Sequence, residues 1–459
     1  MRAPPKGWIE TTLGQIAQWG SGGTPSRRDP ANFGGTIPWI KTGELGQRFV
    51  NATEENISER GLNNSSAKLF PTGSVAIAMY GATIGKASIL GIEAATNQAC
   101  AVAIPDFNIA TTEFLYYYLC SQRNSFVDAG KGGAQPNISQ SVLKSWLVPL
   151  PPLPEQKRIA DKLDRLLGRV DACRERLDRI PAILKRFRQS VLAAATSGEL
   201  TREWREARGM DTCNWTETTV GRLVERIEAG LNVQCEERPP ESNERGLVKI
   251  SAVTWGRYDD NESKTLPCTA EVPERSRVML GDFLISRANT LELVGACVIV
   301  EQVTRPVYLS DKVLRLVMPE GLKRWILIAL QSPEGRKAIE SRASGNQLSM
   351  RNLSQANLRE IRISIPPEDE MAEAVDRVRR LLDVAEQIAR RAVDAAAVVQ
   401  RSVPATLAKA FRGELVPQDP NDEPAAALLA RIAAARQTAG EASGGKARRR
   451  KGGRHAHAD

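Results

Sequence analysis

Imidazole chemistry is closed to the body of this chain. Both histidines, His455 and His457, fall in the last five of 459 residues. No Ser-His-Asp, Cys-His or histidine-based metal site can be assembled ahead of them. The run Tyr80-Gly81-Ala82-Thr83-Ile84-Gly85-Lys86 has the glycines and lysine of a phosphate-binding loop. It has one residue too few between the glycines and no Ser or Thr after Lys86, so it is excluded as an ATP site. There is no Gly-x-Gly-x-x-Gly run. The Asn-Pro-Pro-Tyr or Asp-Pro-Pro-Tyr quartet that an amino-methyltransferase needs is also missing, and the carboxylates form no nuclease-like constellation. An enzyme working by carboxylate or lysine chemistry between duplicated domains stays open as one alternative. A binding protein is the expectation.

The elements that would position binding residues are two rods. From Glu155 to Leu200, apolar residues recur in steps of four and three: Ile159, Leu163, Leu166, Val170, Cys173, Leu177, Ile180, Leu184, Phe187, Val191 and Ala194. A mean step of 3.5 predicts a helix, roughly 60 Å long, that pairs with another helix. Charges such as Lys162, Arg165, Arg169 and Glu175 fill the other faces.

The stretch recurs 215 positions later, from Pro151-Pro152 to Pro366-Pro367. Asn137-Ile138-Ser139 becomes Asn352-Leu353-Ser354, and Gly198-Glu199-Leu200 becomes Gly413-Glu414-Leu415. The second seam reads Ala374, Val378, Leu381, Ala385, Ile388, Ala392, Ala395 and Val399. An intrachain pair is the expectation, because two seams stand at matching positions; a homodimer is the alternative. Pro181 and Pro404 predict a kink or restart in each rod.

The duplication extends beyond the rods. Trp8-Ile9-Glu10-Thr11-Thr12-Leu13-Gly14 is answered by Trp215-Thr216-Glu217-Thr218-Thr219-Val220-Gly221, and Gly73–Ala78 by Gly281–Ser286. The order is module, rod, module, rod. Short β-prone runs (Ser74–Met79, Ala99–Ile104, Phe283–Ser286, Ala296–Val300, Val313–Val317) alternate with helical segments (Thr112–Gln122, Leu322–Gln331), so each module reads as mixed α and β. A compact module has its ends close together, so the second rod must run back beside the first. The predicted fold class is α+β: two similar mixed α/β domains joined by two long helices that form an intramolecular antiparallel coiled coil. The expected boundaries are 1–152 and 205–366 for the modules, 153–204 and 367–416 for the helices, and 417–459 for an Ala-rich segment (Ala425–Arg436) with a disordered basic tail. Two like modules in inverted orientation suit a duplex carrying two half-sites, bipartite and non-palindromic.

Composition limits the partners. The net charge is +9 and 42% of residues are hydrophobic, an ordinary globular balance with a basic surface that favours a polyanion. Part of that excess sits in the tail, at Lys446, Arg448, Arg449, Arg450, Lys451 and Arg454. No apolar run reaches the ~18 residues of a membrane span, and the start is not a signal peptide. Seven scattered cysteines without a Cys-x-x-Cys pair argue for reduced thiols and a cytoplasmic location, and against zinc.

Several motifs together resemble a known family. Leu150-Pro151-Pro152-Leu153-Pro154-Glu155-Gln156-Lys157-Arg158-Ile159, closing in Ala194-Ala195-Thr196-Ser197-Gly198-Glu199-Leu200, is similar to the central conserved region of type I restriction-modification specificity subunits. Gly23-Thr24-Pro25-Ser26, Pro38–Leu45, Gly81–Lys86, Thr96–Ala99 and Gln135–Ser139 resemble that family's target recognition domains. The second copy departs from the pattern at Pro366-Pro367-Glu368-Asp369-Glu370-Met371, which lacks the Leu-Pro-Glu-Gln core.

The resemblance implies a non-catalytic subunit that binds double-stranded DNA through two recognition domains. It implies two methyltransferase partners and two translocase-nuclease partners. No cofactor is expected in this chain; S-adenosylmethionine, ATP and Mg are expected on the partners. Lys and Arg on Gly-rich loops suit phosphate contacts, whereas Arg, Asn and Gln suit base reading. The candidates are Arg27, Arg28, Lys41, Tyr80, Lys86, Lys131 and Gln135 in the first module. In the second they are Arg257, Arg287, Asn289, Arg342, Asn346, Gln347 and Arg351. Glu155, Gln156 and Arg158 are candidates for partner docking or, alternatively, for a simple helix start. A coiled-coil scaffold with no DNA role is the remaining alternative.

Overall fold

A computed structural model describes residues 5–130, 136–210, 214–241, 243–347 and 350–437. The chain forms two compact units: Met1–Arg176 with Ala395–Asp459, and Leu177–Asp394. Each long helix therefore contributes one end to each unit. The expected tail and its histidines lie outside the described residues, as do Lys131 and Gln135.

In the first unit the opening strand Ile9–Thr12 pairs antiparallel with Leu147–Leu150, Ile9 opposite Leu150. This pairing brings the module's start and end together. Between them lie two sheets. The five-stranded sheet is centred on Cys100–Pro105 and Val75–Ala78, flanked by Ala17–Ser21, Ala87–Leu90 and Phe49–Val50. The two central strands read as unbroken apolar runs because both faces are buried. Helix Thr112–Ser121 covers one face with Phe114, Leu115, Tyr118 and Leu119. The four-stranded sheet is built on Phe33–Ile40, with Trp39 2% exposed.

The second unit repeats the plan. Thr216–Thr219 pairs with Arg362–Ile365, Thr216 opposite Ile365. A four-stranded sheet (Arg226–Ala229, Val313–Val317, Phe283–Ser286, Cys297–Ile299) and a three-stranded sheet built on Gly246–Val248 keep the strand order of the first module. Helix Glu320–Gln331 covers the larger sheet with Trp325 and Ile326.

The rods are helices Leu153–Thr196 and Glu368–Phe411, 44 residues each. They pair within the chain. In the first unit Ile159 and Leu163 of one share a core with Leu407 and Ala410 of the other. In the second unit Val191, Leu192 and Ala195 meet Val378, beside Leu381 and Leu382. The start of each helix thus lies by the end of the other, the antiparallel coiled coil expected from the seams. Neither helix restarts at its proline: Pro181 and Pro404 lie inside continuous helix. One missing N–H removes a single ladder bond, and the flanking turns carry the helix past it. Part of each seam is less covered than predicted. Cys173 is exposed, Phe187 is 36% exposed and Ile388 is 43% exposed. A two-helix pair shields only one side of each seam residue.

Residues 425–437 are helical, as expected for the Ala-rich stretch. Ala425 donates its N–H to Gly7 O at 3.0 Å, and Leu428 is buried. Among the described residues, no helix is long and apolar enough to cross a membrane.

Candidate nucleic-acid interface

In both units one strand leaves the main sheet and pairs with the segment that leads into the rod. In the second unit Ala288 lies opposite Asn352 and Asn289 opposite Arg351, and Leu353 N donates to Arg287 O at 2.8 Å. The hairpin partner Ser344–Gln347 completes a three-stranded sheet. This register gathers Arg287, Asn289 and Arg351, with the end of helix Pro333–Arg342 leading into it. Asn346 and Gln347 belong to its hairpin.

The first unit uses the same device. Tyr80 bridges Asn137, Gly81 N donates to Pro136 O at 3.0 Å, and Ile138 N donates to Met79 O at 2.9 Å. Tyr80 is 44% exposed. The following turn returns at Gly85, whose φ of +74° and close approach to Arg123 exclude a side chain. Lys86 follows, half-buried, with its stem alongside Gly46.

The predicted cations divide into two groups. Arg27 donates to Glu55 at 2.8 Å and lies 4.8 Å over the Phe33 ring. Lys41 donates to Glu54 at 3.0 Å and Glu55 at 3.2 Å. Hydrogen bonds from Arg27 and then Lys41 hold the Glu55 carboxyl below its ordinary range. Arg257 pairs with Glu386 on the second long helix, and this bond lowers the Glu386 carboxyl. Arg342 donates to Ala338 O at 3.2 Å. By contrast, the side chains of Arg28, Lys86, Arg287 and Arg351 have no ion-pair partner among the described residues. Arg351 Nε is buried without a hydrogen bond there.

Glu155 and Gln156 are 1% and 0% exposed. Trp8 Nε1 donates to Glu155 Oε2 at 3.0 Å. Gln156 accepts from Thr111 N at 3.1 Å and donates to Ile109 O and Pro151 O. Arg158 donates to Asp422 at 2.6 Å. Glu155 and Gln156 fasten the first module to its rod, and Arg158 ties the rod to the segment that follows the second one. A direct contact from Glu155 or Gln156 to a partner subunit would need side chains that the fold has buried.

Sequence reasoning missed two joints between module and rod. Arg48 makes a bidentate pair with Asp164 at 2.8 and 2.9 Å, and Tyr117 also donates to Asp164. Trp215 donates to Glu370 at 3.1 Å, matching the Trp8 bond. The repeat of Trp8 at Trp215 and of Glu155 at Glu370 was the signal for the second pair. Nothing local marked Arg48. Among the described residues, no group of three His, Cys, Asp or Glu is placed to hold a metal ion.

Residues 5–182 match the family model for the type I restriction modification DNA specificity domain. The chain is 30% identical to the EcoKI specificity subunit of Escherichia coli over 97% of this chain and 98% of that one. It is 27% identical to the StySPI specificity subunit of Salmonella potsdam, over 97% and 98%. Among solved structures, the HsdS subunit of Thermoanaerobacter tengcongensis shares the fold with a TM-score of 0.57 at 20% identity, over 90% of this chain and 98% of that one. A chain from a structure of type I R-M system assembly shares it at 0.65 and 19% identity, over 90% and 100%. This chain belongs to the family of type I restriction enzyme specificity subunits.

Proposed function

We propose that the chain is the DNA sequence-specificity subunit of a type I restriction-modification complex, and that it recognises DNA without catalysing a reaction. The modules, residues 1–152 and 205–366, are the target recognition domains; each reads one half of a bipartite, non-palindromic site. The helical segments 153–204 and 367–416 set the gap and dock two methyltransferase subunits. Two translocase-nuclease subunits complete the assembly, which works in the cytoplasm. S-adenosylmethionine, ATP and Mg belong to those partners.

The observation that carries this reading is the repeated strand pairing, 79–81 with 136–138 and 287–289 with 351–353, on a fold duplicated along the chain. In the second module this pairing carries Arg287, Asn289 and Arg351; in the first the equivalent pairing carries Tyr80 and Asn137. Arg28, Lys86, Arg287 and Arg351 are the first choice for DNA contact, since among the described residues they have no carboxylate to leave. Tyr80 and Asn289, on the paired segments, are further candidates, and the sequence adds Lys131, Gln135, Asn346 and Gln347. Arg27, Lys41, Arg257 and Arg342 are the second choice, engaged in bonds that a phosphate would have to compete for. Exposed ion pairs are weak enough for that exchange. Docking at the start of the first rod falls to Arg158, with Glu155 and Gln156 holding the helix beneath it.

The test is reconstitution. The purified chain should show no methyl transfer, nuclease or ATPase activity. Mixed with its methyltransferase, it should direct methylation to one defined site. Methyl transfer by the chain alone would favour the duplicated-domain enzyme. Failure to bind DNA at low salt would favour a scaffold.

A further inference from the structure

Trp255 is 75% exposed, the most exposed large apolar side chain among the described residues. It closes the short helix Ser251–Thr254 and precedes Gly256, whose φ of +80° turns the chain away. Both neighbours are anchored. Thr254 Oγ1 donates to Ile250 O at 2.8 Å and accepts from Asn289 Nδ2 at 3.4 Å. Arg257 is tied to Glu386 on the long helix. The indole itself has no ring or hydrogen-bond partner among the described residues.

Asn289 lies opposite Arg351 in the small sheet that also carries Arg287. The residue before Trp255 is therefore fastened to the small sheet that carries Arg287 and Arg351, two arginines without an ion-pair partner among the described residues. An exposed, planar apolar ring, its preceding residue hydrogen-bonded to the strand that faces Arg351, matches a surface that is both anionic and flat-faced. A nucleic acid offers this combination in its phosphates and bases. We propose that Trp255 is a DNA-contacting residue of the second module, packing its ring against a base of that module's half-site. The proposal rests on the DNA-specificity reading above and adds an apolar contact to the polar ones that sequence composition suggested.

The test uses the full chain assembled with its methyltransferase and a duplex carrying the site that the complex methylates. Affinity is measured over a range of salt for Trp255→Ala, Trp255→Phe and Arg351→Ala. Trp255→Ala should lose roughly 10- to 100-fold in affinity, the range of one aromatic–base contact. Its salt slope should stay that of the parent, because an apolar contact releases no counterions. Trp255→Phe should recover most of the loss. Arg351→Ala should lower both affinity and slope.

If Trp255→Ala binds like the parent while Arg351→Ala weakens binding, the tryptophan inference is overturned and the DNA reading stands. If neither variant changes binding, this face is not the DNA face, and the assignment of the cationic sheet fails with the tryptophan. If Trp255→Ala keeps DNA affinity but no longer assembles with the methyltransferase, the ring is a protein contact and the inference is also overturned. Should the alanine variant melt early, Trp255→Gln supplies the same comparison with a polar side chain suited to an exposed position.

Discussion

Trp8 and Glu155, 147 positions apart, share a buried hydrogen bond of 3.0 Å that joins the first module to the start of its rod. Trp215 and Glu370 make the same bond at 3.1 Å in the second copy. The copies then diverge. Glu370 Oε1 also accepts from Thr201 at 2.7 Å and from Arg205, whose side chain is 10% exposed. Glu155 Oε1 is buried with no hydrogen-bond partner among the described residues. Duplication has kept the joint and left one carboxylate without its guanidinium.

The first prediction concerns that difference. Glu370→Ala strands the buried Arg205 charge and should destabilise the second unit by about 3–5 kcal/mol. Glu155→Ala strands only an indole N–H and should cost about 1–3 kcal/mol. Calorimetric melting of the two variants checks the order.

Burial raises the Glu155 carboxyl above its ordinary range, with the Trp8 bond opposing the shift. Between the unfolded and folded pKa values the folded chain holds a proton that the unfolded chain has released. Glu155 therefore contributes stability below the unfolded pKa and loses it as pH rises through the folded one. Glu155→Gln cannot titrate. The melting temperature of the variant minus that of the parent should increase from pH ~4 towards neutrality, across the carboxylate range and above it. A difference that does not change with pH would remove Glu155 from the account.

Single alanine substitutions should sort the cations by role. Arg287→Ala and Arg351→Ala should each lower the slope of log affinity against log salt by about 0.9, as one lost phosphate contact does. Arg257→Ala, already paired with Glu386, should leave the slope unchanged. Fluorescence anisotropy titrations at several salt concentrations read this directly.

Much of the fold was legible because its signals are local. The strands Phe283–Ser286 and Val313–Val317 coincide with their apolar runs, and helix Thr112–Ser121 ends one residue short of its predicted end. The rods were legible from their period. The joint was not, because Trp8 and Glu155 meet only once Ile9–Thr12 pairs with Leu147–Leu150. Residue type pointed to the cations, but their division into paired and unpaired depends on distant carboxylates. Glu55 lies 28 positions from Arg27, and Glu386 lies 129 from Arg257. Trp255 carried no sequence signal beyond being a tryptophan; its exposure is a tertiary property.

The rods predict their own effect on spacing. Inserting one heptad into each helix, at matched positions, lengthens the pair by ~10 Å, about three base pairs of duplex. The methylated half-sites should keep their sequences and move apart by that amount. An unchanged gap would mean that the helices do not set it.

The central claim is that two modules in one chain read two dissimilar half-sites, and methylation mapping by single-molecule sequencing tests it most directly. A host carrying this chain with its methyltransferase should show adenine methylation at a two-part, non-palindromic motif with a fixed gap. That motif should vanish when this chain is deleted. A continuous or palindromic motif, or a pattern indifferent to the deletion, would contradict the claim.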